Sequence, residues 1–434
     1  MKKVIDILEN AANNKGVYVH IKQALDRQYQ RQDIELIRDE KLRTMVSHAY
    51  NSTDFYREKY ASVGLDMDNF RVEDLAKLPL LKKEDIKNNF FALMAKGYDL
   101  KRTMRNRTSG STGKPVINLQ DVTIHREVFE VNFFREREAW GCEGLCNVLM
   151  IVPKHFRVKD GVYPDNYFNN INLDKIWQIH PEEEEYDYKD LFSDIKPDIL
   201  YGNPHLLCSM ARTIKEEKIE LVNPKIIISS FEMLDCVSRS LLEEAFDCKV
   251  YDVYGMSEIG DVAWECPNGG YHINEDYVVV EIVNDDGVPV FEEEGNIVVT
   301  SLYNYPMPII RYLTGDRGIM TTDECECGRK TMKLHKVLGR NVDIIALKSG
   351  KKVSPYELMD VMNKNNVGQF QFVLAVQNTI KVKYVNEISV SVIAYMSEQL
   401  ERIFNNEMVV SFERVKEIKA EKSGKYKVIK YEED

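Results

Sequence analysis

The stretch Thr108-Ser109-Gly110-Ser111-Thr112-Gly113-Lys114-Pro115 is the most informative part of this chain. Backbone N–H groups and hydroxyls in such a loop can surround a polyphosphate, while the lysine neutralises its charge. It is not a Walker A loop, because that motif needs Ser or Thr directly after the lysine, where this chain has Pro115. A flexible turn of small residues has the same composition, so this stretch alone leaves phosphate binding and a plain turn as equal alternatives.

Four further motifs follow along the chain, and each is weak by itself. They are Tyr254-Gly255-Met256-Ser257-Glu258, Tyr312-Leu313-Thr314-Gly315-Asp316, Gly339-Arg340-Asn341-Val342-Asp343 and Ser423-Gly424-Lys425. With the loop at 108–115, and in this order, they resemble the motifs of the adenylate-forming superfamily. Asp54-Phe55-Tyr56-Arg57-Glu58 and Cys325-Glu326-Cys327-Gly328-Arg329 resemble more narrowly the phenylacetate–CoA ligase branch and its relatives in capsular polysaccharide gene sets.

The composition limits the classes of protein to which the chain can belong. The chain has 434 residues, 44% of them hydrophobic and 29% charged, as in globular proteins of more than one domain. The net charge of −12 argues against a nucleic-acid partner. No apolar run approaches the roughly 18–20 residues that span a bilayer, and no signal peptide is evident. We therefore expect a cytoplasmic protein without a membrane partner, and a homodimer is left open.

The pattern of apolar residues predicts the fold. Short apolar runs at 148–152, 199–201 and 226–228 alternate with amphipathic stretches, which predicts an α/β core with a largely parallel sheet. From Tyr277 onward, a hairpin over 278–290 and a further strand over 296–302 predict an antiparallel β subdomain.

A small α+β unit is predicted after Gly339, with a helix near 356–363, a strand over 388–395 and a helix over 398–404. We therefore expect an ATP- and acid-binding adenylation domain at 1–339 and a mobile C-terminal domain at 340–434 that carries the catalytic lysine.

The resemblance implies a two-step reaction. A carboxylate attacks the α-phosphate of ATP to give acyl-AMP and pyrophosphate, and a thiol, usually that of CoA, then displaces AMP. Glu258 and Thr112 would hold Mg²⁺, an ion that prefers oxygen ligands, and Lys425 would be the catalytic lysine of the first step. The β and γ phosphates would be held by Ser109, Gly110, Ser111, Thr112, Gly113 and Lys114.

Further residues of the motifs would bind the nucleoside part of ATP. Asp316 would bind the ribose hydroxyls, and Tyr254, next to Gly255, would offer a flat face to adenine. Asp252 would reach the adenine edge and Ser257 the α-phosphate. The full set implied for the nucleotide beyond the phosphate loop is Asp252, Tyr254, Gly255, Ser257, Asp316 and Arg340. One departure concerns the hinge, where Val342 replaces the usual acid and Asp343 follows it.

Three thiols and one imidazole form a candidate structural zinc set. Cys325 and Cys327 lie about sixty residues after Cys266 and His272. We expect the zinc ion, rather than hydrophobic contacts, to join these two segments. The alternative is that the four residues are unrelated.

The acid and its acceptor are the least determined features. The segment 229–233, with Trp140 and His205, is the candidate acid pocket, and Phe231 and Tyr201 favour an aryl or arylacetic acid. The acceptor is CoA or, alternatively, an amine, a hydroxyl or a carrier-protein thiol. A catalytically silent binding or scaffold protein is the alternative of another class.

Overall fold

The computed structural model describes residues 15–431 except 67–68, 108–115, 143–145, 153–174, 182–184, 341–344, 354, 364, 366, 368, 376–377, 417 and 419–427. The phosphate loop at 108–115, the hinge positions Val342 and Asp343, and Lys425 lie outside the described residues, so their roles stay predictions. In the part that is described, no helix is both long and apolar enough to cross a bilayer.

The N-terminal region is helical. Its helices are α1 (Lys15–Arg27), α2 (Arg31–Ser52), α3 (Asp54–Tyr60), α4 (Lys83–Asn88) and α5 (Phe90–Leu93), with 3-10 turns at Val72–Lys77 and Leu100–Arg102. Helix α2 buries a stripe at helical spacing that includes Leu42, Met45 and Ala49. Its Arg38 forms a buried ion pair with Glu275, at 3.0 Å, which ties these helices to the rest of the chain.

A β-hairpin of β1 (Thr103–Arg107) and β2 (Ile117–Asp121) brackets the segment 108–115, with Arg107 opposite Ile117. Helix α6 (Val122–Ala139) follows at once, because the Asp121 carboxylate accepts hydrogen bonds from the N–H groups of Thr123 and Ile124 at 2.9 and 3.0 Å.

The next elements form the parallel half of a large sheet. They are β3 (Asn147–Ile151), β4 (Lys175–Ile179), α7 (Tyr188–Ile195), β5 (Ile199–Gly202), α8 (Pro204–Glu217), β6 (Ile226–Ser229), α9 (Cys236–Phe246) and β7 (Lys249–Met256). Strands β4, β3, β5, β6 and β7 are neighbours in that order and all parallel. The predicted apolar runs are therefore buried strands, and the parallel α/β core is confirmed.

The antiparallel half continues from β7 in the same sheet. Its strands are β8 (Gly260–Glu265), β9 (Tyr271–Ile273), β10 (Val278–Val283), β11 (Gly295–Ser301), β12 (Tyr312–Thr321) and β13 (Lys333–Arg340). Within the described residues, eleven strands run in the order β10-β11-β12-β13-β9-β8-β7-β6-β5-β3-β4. The antiparallel subdomain is confirmed, and β7 joins it directly to the parallel core.

The predicted hairpin over 278–290 forms at its turn, where the Val290 N–H donates to the Ile282 carbonyl at 2.8 Å, but its second arm is not a full strand. Strand β10 pairs with β11 along its whole length, whereas Pro289 forms only an isolated bridge to Val283. Proline has no N–H to donate to a ladder, and Val288 next to it is exposed.

The C-terminal unit has a hydrophobic core of its own. Its elements are β14 (Ile345–Ala346), β15 (Lys352–Val353), α10 (Pro355–Asn363), β16 (Phe370–Ala375), β17 (Thr379–Tyr384), α11 (Val390–Ile403), β18 (Val409–Arg414) and β19 (Ile429–Tyr431). The sheet order is β18-β17-β16-β19. The predicted α+β character is confirmed, and the domain boundary at 339/340 stays a prediction.

The strand predicted over 388–395 is wrong, because those residues begin helix α11. The Ser389 side chain accepts a hydrogen bond from the N–H of Val392 and caps the helix. Met396 and Leu400, one turn apart, are fully buried. The helical spacing of these core residues overrides the β propensity of the preceding valines and isoleucine.

Candidate active site

Glu258 lies in the turn between β7 and β8, and its side chain is buried. The Tyr312 hydroxyl, at the start of β12, donates a hydrogen bond to Oε1 of Glu258 at 2.8 Å. Among the described residues Glu258 forms no ion pair. Since the phenol is neutral, the carboxylate keeps its negative charge uncompensated, which suits a site for a divalent cation.

Two amide side chains fix the backbone of this turn. Asn118 Nδ2 donates to the Glu258 carbonyl at 2.6 Å, and Gln120 Nε2 donates to the carbonyls of Ser257 and Glu258 at 3.2 and 3.1 Å. Both amides lie on β2, two residues apart, so they share one face of the strand. The hairpin that brackets segment 108–115 is therefore attached to the turn that carries Glu258.

These amides were not among the predicted site residues. The signal that could have identified them is the pair of polar residues at i and i+2 on a strand that leaves a glycine-rich loop. Tyr312 belongs to one of the motifs, but the sequence predicts no role for it. Its contact with Glu258 depends on strands β12 and β7 lying in the same sheet.

Tyr254 and Asp316 are brought together by the sheet. The Tyr254 hydroxyl donates to Oδ2 of Asp316 at 2.9 Å. Burial and the nearby Asp316 carboxylate raise the pKa of Tyr254 well above its ordinary value, so the phenol stays a donor. The Asp316 N–H donates to the Thr314 hydroxyl at 3.0 Å, which fixes the bend of the motif. Arg340 is the Cα partner of Asp316 across β12 and β13.

Asp252 is buried on the same strand as Tyr254, two residues earlier. Its Oδ2 accepts a hydrogen bond from the Tyr271 hydroxyl at 3.0 Å, and its N–H donates to Glu265 at 2.9 Å. Burial and then the Glu265 carboxylate raise the pKa of Asp252 to about 7. Glu265 itself is held by Arg239 at 2.7 Å. Near neutral pH Asp252 therefore exists partly as a neutral carboxyl.

Ser257 and Gly255 belong to the same turn region. The Ser257 side chain is exposed, as a residue that meets a ligand would be. Gly255 is required by close packing, since a Cβ there would lie 2.9 Å from the Gly260 carbonyl oxygen and 3.2 Å from Oδ1 of Asp261.

The predicted acid-pocket residues fall into two groups. The Tyr201 and Phe231 rings meet edge to face, with centroids 5.7 Å apart, and Phe231 has a left-handed backbone with φ of 76°. The Trp140 ring stacks on Tyr251 with centroids 4.9 Å apart, and its Nε1 donates to the Glu265 carbonyl. Trp140 is thus engaged in the core.

Cys266, His272, Cys325 and Cys327 form one cluster, with all four ligand atoms within 4.8 Å of one another. The Cys266 and Cys325 sulfurs are 3.6 Å apart, and His272 Nε2 is 3.2 Å from the Cys327 sulfur. Zn–S bonds of about 2.3 Å in a tetrahedron place sulfurs about 3.7 Å apart, so the four residues fit a zinc ion. The Thr331 hydroxyl, 2.8 Å from His272 Nδ1, orients the ring.

The expectation that only a metal would join these segments is wrong. His272 on β9 is the Cα partner of Lys333 on β13, so backbone pairing already brings the two segments together. Strands β9 and β13 are antiparallel neighbours inside the sheet, and the backbone hydrogen bonds of such a pair hold the two segments together.

The comparisons with known proteins cover both parts of the chain. Residues 345–432 match the CapK C-terminal domain. Phenylacetate-coenzyme A ligase of Thermus thermophilus is 27% identical over 352 residues, which are 76% of this chain and 76% of that protein. Protein CapK of Staphylococcus aureus is 25% identical over 354 residues, 79% of this chain and 76% of its own length.

A similar solved structure is 2-hydroxyisobutyryl-CoA ligase in the postadenylation state, in complex with R3-HIB-AMP. The TM-score is 0.77 at 17% identity, covering 93% of this chain and 90% of that one. At this identity the match establishes the fold. The resemblance read from the motifs is confirmed: the chain is similar to phenylacetate-coenzyme A ligases and to Protein CapK, and it has the fold of adenylate-forming CoA ligases.

Proposed function

We propose that this protein activates a carboxylic acid with ATP to form an acyl-adenylate and pyrophosphate, and transfers the acyl group to CoA with release of AMP. The observation that carries the proposal is the buried carboxylate of Glu258, which forms no ion pair within the described part of the chain and lies at a turn bound by strand β2. Since β2 directly follows the predicted phosphate loop, a carboxylate for Mg²⁺ and that loop would serve one magnesium–ATP site.

The first step must bring two anions together, so neutralisation and positioning supply most of the catalysis. Glu258, with Thr112, would hold Mg²⁺, which neutralises phosphate charge when bound. Residues 109–114 would hold the β and γ phosphates. Lys425 would bridge the attacking carboxylate and the leaving phosphate oxygens as a compact point charge.

The nucleoside would lie along β7 and β12. Asp316 presents a carboxylate to the ribose hydroxyls, and the Tyr254 hydroxyl orients that carboxylate from the opposite side. The neutral carboxyl form of Asp252 can donate a hydrogen bond to an adenine nitrogen, and the exposed side chain of Ser257 would contact the α-phosphate. Arg340 would contact the ribose or phosphates.

The match of residues 345–432 to the CapK C-terminal domain favours a second candidate function. The acyl group would then pass to an amine, a hydroxyl or a carrier-protein thiol.

We further infer that Cys266, His272, Cys325 and Cys327 bind one structural zinc ion. The support is the fit of their separations to a tetrahedral set and the Thr331 contact that orients His272. The cluster lies away from Glu258, at the ends of β8 and β12, so the ion would stabilise the sheet rather than act on substrate.

One assay tests the function and the acceptor together. Pyrophosphate release is measured with ATP, Mg²⁺ and a panel of aryl, arylacetic and aliphatic acids, and thioester formation is measured after CoA is added. Lys425→Ala should slow pyrophosphate release by orders of magnitude, since losing a charge used in the transition state costs about 3–4 kcal/mol; Lys430→Ala is the control. Pyrophosphate release without thioester formation would favour the second candidate, and none with any acid would contradict both.

A further inference from the structure

A polar cluster lies on helix α6, outside the residues predicted for the site. Asn132 and Glu136 are one turn apart, so their side chains share a face of the helix. They are 0% and 1% exposed. Asp261, at the start of β8, is close enough that its charge contributes to raising the pKa of Glu136. We call Asn132, Glu136 and Asp261 the α6 cluster.

The cluster contains buried polar atoms that the fold does not satisfy. Among the residues that the structure describes, neither Nδ2 nor Oδ1 of Asn132 has a hydrogen-bond partner, and neither has Oε1 of Glu136. Native proteins rarely leave buried polar groups unpaired, because each has lost its hydrogen bonds to water. A whole buried amide in this condition marks a place where a water molecule or a ligand group can complete the hydrogen bonds.

The cluster adjoins the candidate active site. Oδ1 of Asp261 lies 3.2 Å from where a Cβ of Gly255 would stand, so its carboxyl group packs over the motif that carries Glu258. Tyr201 lies on the same side, since Asp261 and Glu136 both contribute to the raised pKa of its hydroxyl after burial. Its ring contacts Phe231 of the candidate acid pocket at 5.7 Å.

The aromatic rings and the polar groups therefore lie side by side, and we call them the aromatic wall and the polar wall. Phe133, the residue after Asn132, meets the Tyr201 ring at 6.4 Å between centroids. An aryl group fits the aromatic wall, and the polar wall offers oxygen atoms that accept hydrogen bonds.

The neighbouring arginines are engaged by other residues. Arg135 is directed to Asp276, at 2.7 Å, and to Asn274, and its charge opposes the rise in the pKa of Glu136 that burial causes. Arg137 lies over the Phe134 ring at 3.9 Å. Within the described part of the chain, the polar wall keeps two unsatisfied acceptor oxygens and the Asn132 amide donor, a combination that suits a hydroxyl or an amino group.

We propose that the α6 cluster recognises a hydrogen-bond donor, a hydroxyl or an amino group, on the aryl portion of the acid that the enzyme activates. Oδ1 of Asn132 and Oε1 of Glu136 accept the hydrogen bonds. This inference rests on the proposed function and narrows its substrate to hydroxylated or aminated aryl and arylacetic acids.

The experiment uses matched acids that differ only in this donor. The first set is phenylacetate, 4-hydroxyphenylacetate and 4-aminophenylacetate, and the second is benzoate with its hydroxy and amino derivatives. Pyrophosphate release gives kcat/KM for each acid. In each active set the parent should prefer a donor-bearing acid by at least ~10-fold, because a site built to hydrogen-bond a group rejects the analogue without it. The hydroxy and amino members distinguish the two kinds of donor.

Variants link that preference to the cluster. Asn132→Leu and Glu136→Gln should reduce the preference ratio ~10-fold or more, since the first removes the amide and the second replaces one carboxyl oxygen with an NH₂ group that donates instead of accepting. Glu127→Gln, on the same helix with a side chain 35% exposed, should keep the parent ratio. Equal kcat/KM for acids with and without a donor, or a preference unchanged in both cluster variants, would overturn the inference.

A second measurement separates this inference from the proposed function. If no acid supports pyrophosphate release, the melting temperature is measured with each acid and ATP. Stabilisation by a donor-bearing acid alone, lost in Glu136→Gln, would support the cluster's role while the proposed function fails. Absence of any such discrimination would overturn the inference as well.

Discussion

The hydroxyl of Tyr312 donates a hydrogen bond to Oε1 of Glu258 across 54 positions of sequence, at 2.8 Å. The contact joins two motifs that the sequence shows only as separate stretches. A neutral donor fixes the orientation of the carboxylate and leaves its charge in place. A lysine or arginine there would instead have formed an ion pair and removed the reason for a cation to bind.

Glu258→Gln should weaken the magnesium dependence of pyrophosphate release, because the amide keeps the shape and loses the charge. Tyr312→Phe keeps the charge and loses one hydrogen bond, worth about 1 kcal/mol, so its effect should be smaller. Magnesium titrations of both variants and the parent provide the check. Coincident curves for Glu258→Gln and the parent would show that Glu258 is not a ligand.

Asp316→Asn should raise the KM for ATP more than ten-fold, on the order of the 1.5–3 kcal/mol expected for a hydrogen bond to a charged group. Tyr254→Phe removes the hydroxyl that orients Asp316 and retains the ring, so the KM should rise less. Initial rates at varied ATP measure both. A larger effect of Tyr254→Phe than of Asp316→Asn would assign the ribose contact to the tyrosine.

Purified protein should contain about one zinc ion per chain. Cys325→Ser should lower both the zinc content and the melting temperature, and activity should fall only as far as stability does. Cys248→Ser, a half-buried cysteine outside the cluster, should change neither. Since β9 and β13 are paired in any case, the metal-depleted protein should remain folded. Zinc-free protein with an unchanged melting temperature would exclude the site.

The melting temperature should depend on pH through Asp252. Its pKa in the folded protein is raised from 3.8 to about 7 by burial and by Glu265. Between these values the folded state binds the proton that the unfolded state has lost, so stability falls as pH rises through this window. Asp252→Asn should remove that part of the decline. Melting curves from pH 4 to pH 8 measure it, and parallel profiles for variant and parent would contradict the assignment.

The sequence predicted the parts of the fold that depend on local pattern. Apolar runs such as 226–228 are strands because their residues are buried on both sides, and the helix at α9 follows from its amphipathic spacing. Two errors, at Pro289 and at 388–395, arose where a few β-favouring residues were read without their tertiary partners.

The site was predictable to the extent that it lies within motifs. Tyr254, Glu258 and Asp316 could be singled out, yet their mutual contacts depend on the order of strands in the sheet. Asn118 and Gln120 act on a backbone about 140 positions away, and Asn132 and Glu136 look like ordinary helix residues until their burial is known. Contacts between side chains that are far apart in the chain cannot be predicted from the pattern of a single sequence.

The attachment of β2 to the Glu258 turn has a consequence for how mutants of this enzyme are interpreted. A change at Gln120 removes its hydrogen bonds to the carbonyls of Ser257 and Glu258, leaves Asn118 as the remaining β2 side chain bound to this turn, and so loosens the hairpin from the turn, although Gln120 lies five positions after the end of the loop. Its kinetic signature will imitate loss of a phosphate ligand. A variant with a defect in ATP use therefore identifies a phosphate contact only if its Glu258 turn is shown to keep its position against strand β2.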